Sequence, residues 1–139
     1  MPVNEERMRL GIDGLRSGRY KKWIGALHRI IAPGGEPGRA DTWCCLGGLS
    51  DVAIANGCQV RRQTIKDREM FGTQGNEFLS AEVMQWYGLE NENPILRDEQ
   101  GNYLSAGSWN DEGPVGSDGP EDDFGPIADA FERTYLPST

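Results

Sequence analysis

The sequence is poor in the residues that carry most enzyme chemistry. It has one histidine, His28, and three cysteines, Cys44, Cys45 and Cys58, in 139 residues. An odd cysteine count with two adjacent members does not make a disulfide framework, and reduced thiols in a cytosol are the simpler expectation. No run of about 18 apolar residues is present, which argues against a membrane-spanning helix. The stretch from Met1 to Arg16 has no apolar core and mixes three arginines with three acids, so it is not expected to act as a secretory signal. Internal repeats are also missing. The length suits a single domain over residues 1–139, since each half alone would have too little core.

Basic residues are scarce in the second half. The chain has 14 basic and 22 acidic residues, a formal net charge of -8. Residues 1–76 hold 12 basic against 8 acidic residues, a net of +4, and residues 77–139 hold 2 against 14, a net of -12. The excess is densest where Asp111, Glu112, Asp118, Glu121, Asp122 and Asp123 stand without a basic neighbour. Such a surface repels DNA and attracts basic partners. The ordinary role of a charge run is a solvated loop that keeps a protein dispersed.

The spacing of apolar residues predicts several short helices. Asn4 can cap a helix over residues 4–17, with Met8, Ile12 and Leu15 on one face. Gly11 and Gly14 are expected to weaken it by roughly 1 kcal/mol each relative to alanine. Tyr20, Trp23, Ile24, Leu27, Ile30 and Ile31 match a helical stripe over 19–31, interrupted by Gly25. Asp41 or Thr42 can cap a helix over 42–56. There Cys45, Leu46, Leu49, Val52 and Ala53 lie within about 120° of one another, with Gly47 and Asp51 pointing away, Gly48 allowing close packing and Gly57 as the stop. Residues 59–77 read as a loop with a short extended piece near Val60 to Ile65. Ser80 can cap a helix over Ala81–Tyr87 that Gly88 terminates. Ile95-Leu96 and Tyr103-Leu104 flank a turn from Asp98 to Asn102, a hairpin signal. A last helix is expected from about Asp123 to Tyr135, capped by Asp122 or Asp123, with Phe124, Ile127, Ala128, Phe131 and Tyr135 on one face. The predicted class is α+β, mostly short helices with one β-hairpin.

Each chemical constellation is thin. Cys44 at a helix N-terminus would have a favoured thiolate. His28 is the only imidazole that could serve it as base, with Asp41 or Asp51 to orient the ring. Against this, a cysteine on a core stripe packs as a small hydrophobe. Zinc would need both adjacent cysteines, which point about 100° apart on a helix. The acidic run does not match a calcium-binding loop, and Gly34-Gly35 is followed by Glu36 and not by a phosphate-cradling lysine. No cofactor or metal is therefore expected. Arg61, Arg62, Lys66 and Arg68 form one basic patch, but the net charge argues against a nucleic-acid partner. The reverse, an acidic mimic of nucleic acid, is also open. Trp109 sits in polar surroundings, where an exposed tryptophan can anchor a partner. A basic half and an acidic half can also pair within one monomer or between two.

Three stretches together resemble a known family. They are Leu15-Arg16-Ser17-Gly18-Arg19-Tyr20 with Cys44-Cys45-Leu46-Gly47, Leu49 and Asp51-Val52-Ala53; Phe78-Leu79 with Val83, Trp86, Gly88-Leu89 and Asn93-Pro94; and Asn110-Asp111-Glu112-Gly113 with Phe124 and Ile127-Ala128-Asp129. In order and spacing they are similar to a family of small proteins carried by actinobacterial phages and their hosts. The segment from Pro114 to Asp123 is longer and more acidic than that family's pattern. The resemblance implies a phage or prophage origin and expression in a bacterial cytoplasm, and brings no enzymatic mechanism. The resulting expectation is a non-enzymatic accessory protein that binds a host protein through Trp109, Asp111, Glu112, Asp118, Glu121, Asp122 and Asp123. The alternative is a small cysteine-dependent enzyme using Cys44 with His28.

Overall fold

A computed structural model describes residues 3–17, 28–29, 42–65, 68–71, 78–108 and 124–136. Its architecture is α+β, as the apolar spacing predicts. Helix α1 (Glu5–Arg16) begins where Asn4 accepts a hydrogen bond from the Arg7 N–H through its side chain, at 3.0 Å. Met8, Ile12 and Leu15 are buried along one face, as expected.

Helix α2 (Cys45–Ala55) is the centre of the core. Its cap differs from expectation. Thr42–Trp43 is strand β2, and Cys44 is the N-cap, its Sγ accepting from the Gly47 N–H at 3.4 Å. The predicted one-sided stripe is also too narrow. Gly47, Gly48 and Ser50 are buried along with the apolar residues, so α2 is enclosed nearly all round. The Ser50 hydroxyl satisfies itself by donating to the Leu46 carbonyl at 2.8 Å. Gly57, at φ +106°, follows the last turn.

Close approach of α1 to α2 rests on Gly11. A Cβ there would lie 2.7 Å from Leu49 Cδ2 and 2.9 Å from the Tyr87 hydroxyl oxygen. The glycine read as a weak point in α1 is therefore where the helix is pressed onto its neighbours. Tyr87 closes helix α3 (Ala81–Tyr87), and its hydroxyl donates to the Leu49 carbonyl at 2.5 Å. The α3 ends match expectation: Ser80 Oγ accepts from the Val83 N–H at 3.3 Å, and Gly88 takes the left-handed conformation at φ +81°.

Two antiparallel sheets accompany the helices. One holds β1 (His28–Arg29), β2, β3 (Arg62–Ile65) and β4 (Arg68–Phe71) in the order β2-β1-β4-β3. The helical stripe over 19–31 is thus overturned at His28 and Arg29, which are extended. The reading of 59–77 as loop is overturned at β4, while its extended piece matches β3. The two departures have different causes: β1 finds its partners at Thr42–Trp43 and Arg68, beyond the reach of any local window, whereas β4 pairs with the nearby β3 in a stretch too polar to signal a strand. The second sheet is the expected hairpin, β5 (Ile95–Arg97) with β6 (Tyr103–Ser105). Its turn is held by Asp98 Oδ1, which accepts from the Gln100 and Asn102 N–H groups, and by Gly101 at φ +87°.

Helix α4 (Gly125–Tyr135) starts later than predicted. Its N-cap is Phe124, with no side-chain cap, and a proline stands in its first turn, where a missing N–H costs nothing. Neither Asp122 nor Asp123 caps it. Phe124, Ile127, Ala128 and Phe131 are buried as expected. Predicted features at Gly18, Pro137 and the acidic loop lie outside the described residues. No helix among the described residues is long and apolar enough to cross a membrane.

Candidate functional site

Strand pairing brings the two candidate catalytic residues into one neighbourhood. His28 is the register partner of Trp43, so its backbone lies across from the residue preceding Cys44. Cys44 sits at the α2 N-terminus, where the helix dipole favours an anion. Its side chain is nonetheless buried, at 4% exposure. Cys45 is fully buried, and its Sγ donates to the Ala106 carbonyl at 3.6 Å. The Cys58 Sγ donates to the Glu82 carbonyl at 3.6 Å, and burial pushes its thiol pKa up, with the Glu82 charge adding to the effect. Asp51, one of the two proposed orienting groups, is instead paired with Arg62 at 3.2 Å. Asp41, the other, lies outside the described residues. Among the described residues no group of three or more His, Cys, Asp or Glu is arranged to hold a metal ion.

Of the basic patch read from sequence, Arg62 opens β3 and Arg68 opens β4, Arg61 precedes β3, and Lys66 lies outside the described residues. Arg62 stacks over the Phe71 ring, 5.0 Å from its centroid, as well as bonding Asp51. It is thereby spent on holding the sheet to α2.

The charge asymmetry of the two halves is partly settled inside the molecule. Arg16 of α1 bonds Asp129 at 2.6 Å and Glu132 at 3.2 Å on α4, and Arg9 also pairs with Glu132. Asp129 and Glu132 stand three apart on one helix face, which lets one arginine span both. The Arg16 guanidinium, then that of Arg9, holds the Glu132 carboxyl below the usual carboxylate range. The same contacts raise Arg16.

The proposed contact residues Trp109, Asp111, Glu112, Asp118, Glu121, Asp122 and Asp123 lie outside the described residues. The residues that flank them are anchored. Ala106 is fully buried and its N–H donates to the Pro94 carbonyl at 2.7 Å. Next to it, the Gly107 N–H donates to Asn93 Oδ1 at 2.8 Å. On the far side Phe124 is buried in the core.

Sequence reasoning missed one surface. Cross-strand partners share a face, so Ile95, Arg97, Tyr103 and Ser105 line one side of the β5–β6 hairpin, with Leu96 and Leu104 on the other. Leu96 is fully buried, whereas Tyr103 is 69% and Ile95 44% exposed. Ile95 also walls an open groove of about 430 Å³, together with Val3, Leu89, Asn91, Thr134 and Tyr135. The alternation around Leu96 was the available signal, but Ile95 beside Leu96 and Tyr103 beside Leu104 pass as core in short apolar pairs. No family model, curated protein or solved structure matches this chain.

Proposed function

We propose that this chain is a non-enzymatic, phage-derived accessory protein that binds a basic surface of a host protein in the bacterial cytoplasm. The carrying observation is how its charge is distributed. Among the described residues, Arg9 and Arg16 of α1 are engaged with Asp129 and Glu132 of α4. Six carboxylates between residues 111 and 123 have no basic neighbour in sequence. Trp109 precedes them as an aromatic anchor of the kind that concentrates binding energy. The burial of all three thiols further favours binding over thiol chemistry.

The test is a pull-down from actinobacterial lysate across a salt series, comparing the native chain with a variant carrying amides at the six acids. The expected result is one stoichiometric protein, released by salt and absent from the variant. Equal capture by the variant, or no partner at any salt, overturns the reading.

A second reading, a cysteine-dependent enzyme using Cys44 with His28, draws support from the β1–β2 register and from Cys44 at the α2 N-terminus. It requires rapid alkylation of Cys44 at mildly acidic pH, where an ordinary thiol of pKa about 8.5 hardly reacts. Slow alkylation that requires unfolding removes it.

A further inference from the structure

We propose that Asn56 is a modification site, where the side-chain amide is lost spontaneously through a cyclic imide formed with Gly57, and that the carboxylate left behind loosens the end of α2. Neither the acidic run nor a bound partner is involved.

The sequence supplies the chemistry. Asparagine is among the chemically labile residues, and its neighbour sets how fast it reacts. The nucleophile is the backbone nitrogen of the next residue, and a Cβ on that residue crowds the approach. Glycine has none. Asn56 is the only one of seven asparagines that is followed by glycine. Both residues are exposed, and a Cβ placed on Gly57 would meet nothing within 4 Å. The space beside the pair is therefore open to water.

The step balances without an oxidant or reductant. The Gly57 nitrogen attacks Asn56 Cγ, so that an N–Cγ bond forms and the Cγ–Nδ2 bond breaks. Ammonia leaves with the proton that the Gly57 nitrogen gave up. Water then opens the ring at either carbonyl, leaving aspartate or isoaspartate.

The folded helix end holds both reacting groups back. The Gly57 N–H donates to the Ile54 carbonyl at 3.2 Å, and the Cys58 N–H donates to the Ala53 carbonyl at 2.9 Å. These are the paired bonds of a helix end whose left-handed residue is Gly57, at φ +106°. Asn56 Nδ2 donates to the Val52 carbonyl at 2.8 Å. Ring closure needs Asn56 Cβ and the Gly57 nitrogen nearly eclipsed about the Cα–C bond, and ψ of 20° at Asn56 keeps them apart. The reaction thus waits for the last turn to open. That turn is the part of α2 readiest to open, since Ala55, Asn56 and Gly57 are exposed whereas Cys45 to Ser50 are buried.

The product undoes the cap. A carboxylate has no hydrogen to donate to the Val52 carbonyl, and it sets negative charge at the negative end of the helix. Isoaspartate in addition inserts a carbon into the backbone between Ala53 and Cys58, across the span that their hydrogen bond closes. Because α2 is the centre of the core, the modified chain loses stability.

The test is incubation of the full chain at mildly alkaline pH, with each conversion of asparagine to acid located by peptide mass spectrometry. In the folded chain the acid is expected first at residue 56. Unfolding in denaturant should speed that conversion about tenfold or more, because only the opened fraction reacts in the native state. Asn56→Asp, the product made directly, should unfold at a lower denaturant concentration than the native chain, with Asn56→Ser, which loses the Val52 bond but gains no charge, between them. Acid appearing first at another asparagine overturns the proposal, as does a folded chain that forms none at 56 while the unfolded chain does. Equal rates in the folded and unfolded chains, or Asn56→Asp as stable as the native chain, overturn it as well.

Discussion

Helix α1 is held along two seams built on different physics. Toward α2 and α3 it is pressed in at Gly11, where Leu49 and the Tyr87 hydroxyl leave no space for a methyl group. Toward α4 its outer rim is tied by Arg9 and Arg16 to Asp129 and Glu132, at groups that remain between 33% and 57% exposed. The first seam excludes water, so each atom counts in packing. The second is bathed in water and salt, where an ion pair contributes about 0–1 kcal/mol. Three contacts at the rim should therefore matter less than one glycine in the core.

The widest gap should appear on cutting the packed seam. Leu49→Ala removes a fully buried side chain and should destabilise the chain by about 2–5 kcal/mol in denaturant unfolding. Next comes Gly11→Ala. Helix propensity alone predicts a gain of roughly 1 kcal/mol, whereas overpacking against Leu49 and Tyr87 predicts a loss of about 1–3 kcal/mol. A gain would mean that the seam has slack and that the contrast between seams is false. Combining the two substitutions sharpens it further. Trimming Leu49 removes the nearest obstruction, so the double variant should be more stable than the sum of the two losses implies.

Smaller still is Tyr87→Phe, which deletes the bond to the Leu49 carbonyl and keeps the ring. A loss of about 1 kcal/mol is expected, the ordinary net worth of one internal hydrogen bond.

What was legible in the sequence divides along the same line between local and distant causes. Asn4 and Ser80 announce their helices because a cap acts within three residues. Gly88 and Gly101 announce their turns because positive φ is a property of one residue. Gly11 misleads because its local cost is readable while its use depends on Leu49 and Tyr87, far along the chain. Strands β1 and β2 escape for the same reason, since a two-residue strand exists only through its partner. At the candidate sites, Cys44 could be read as a nucleophile and a helix-end residue, but its burial could not. The acidic run is visible as charge alone. The Ile95–Tyr103 face was hidden because a strand's outward side is set by register, and register was fixed only when Leu96 met Leu104.

The weakest seam gives the finest test, by pH and salt. Arg16 and then Arg9 depress the Glu132 pKa in the folded chain. A depressed carboxyl contributes stability that is present above its unfolded pKa and is lost as pH falls through the folded one. Native chain and Glu132→Gln should therefore differ by no more than about 1 kcal/mol near neutral pH, because the group is solvent-screened. That difference should fade in acid, below the ordinary carboxylate range, and shrink in salt as screening shortens the reach of the arginines. Unfolding curves of both proteins across pH, at low and high ionic strength, measure it directly. A difference that persists unchanged in acid and in salt would assign Glu132 a packing role, and the two seams of α1 would then be of one kind.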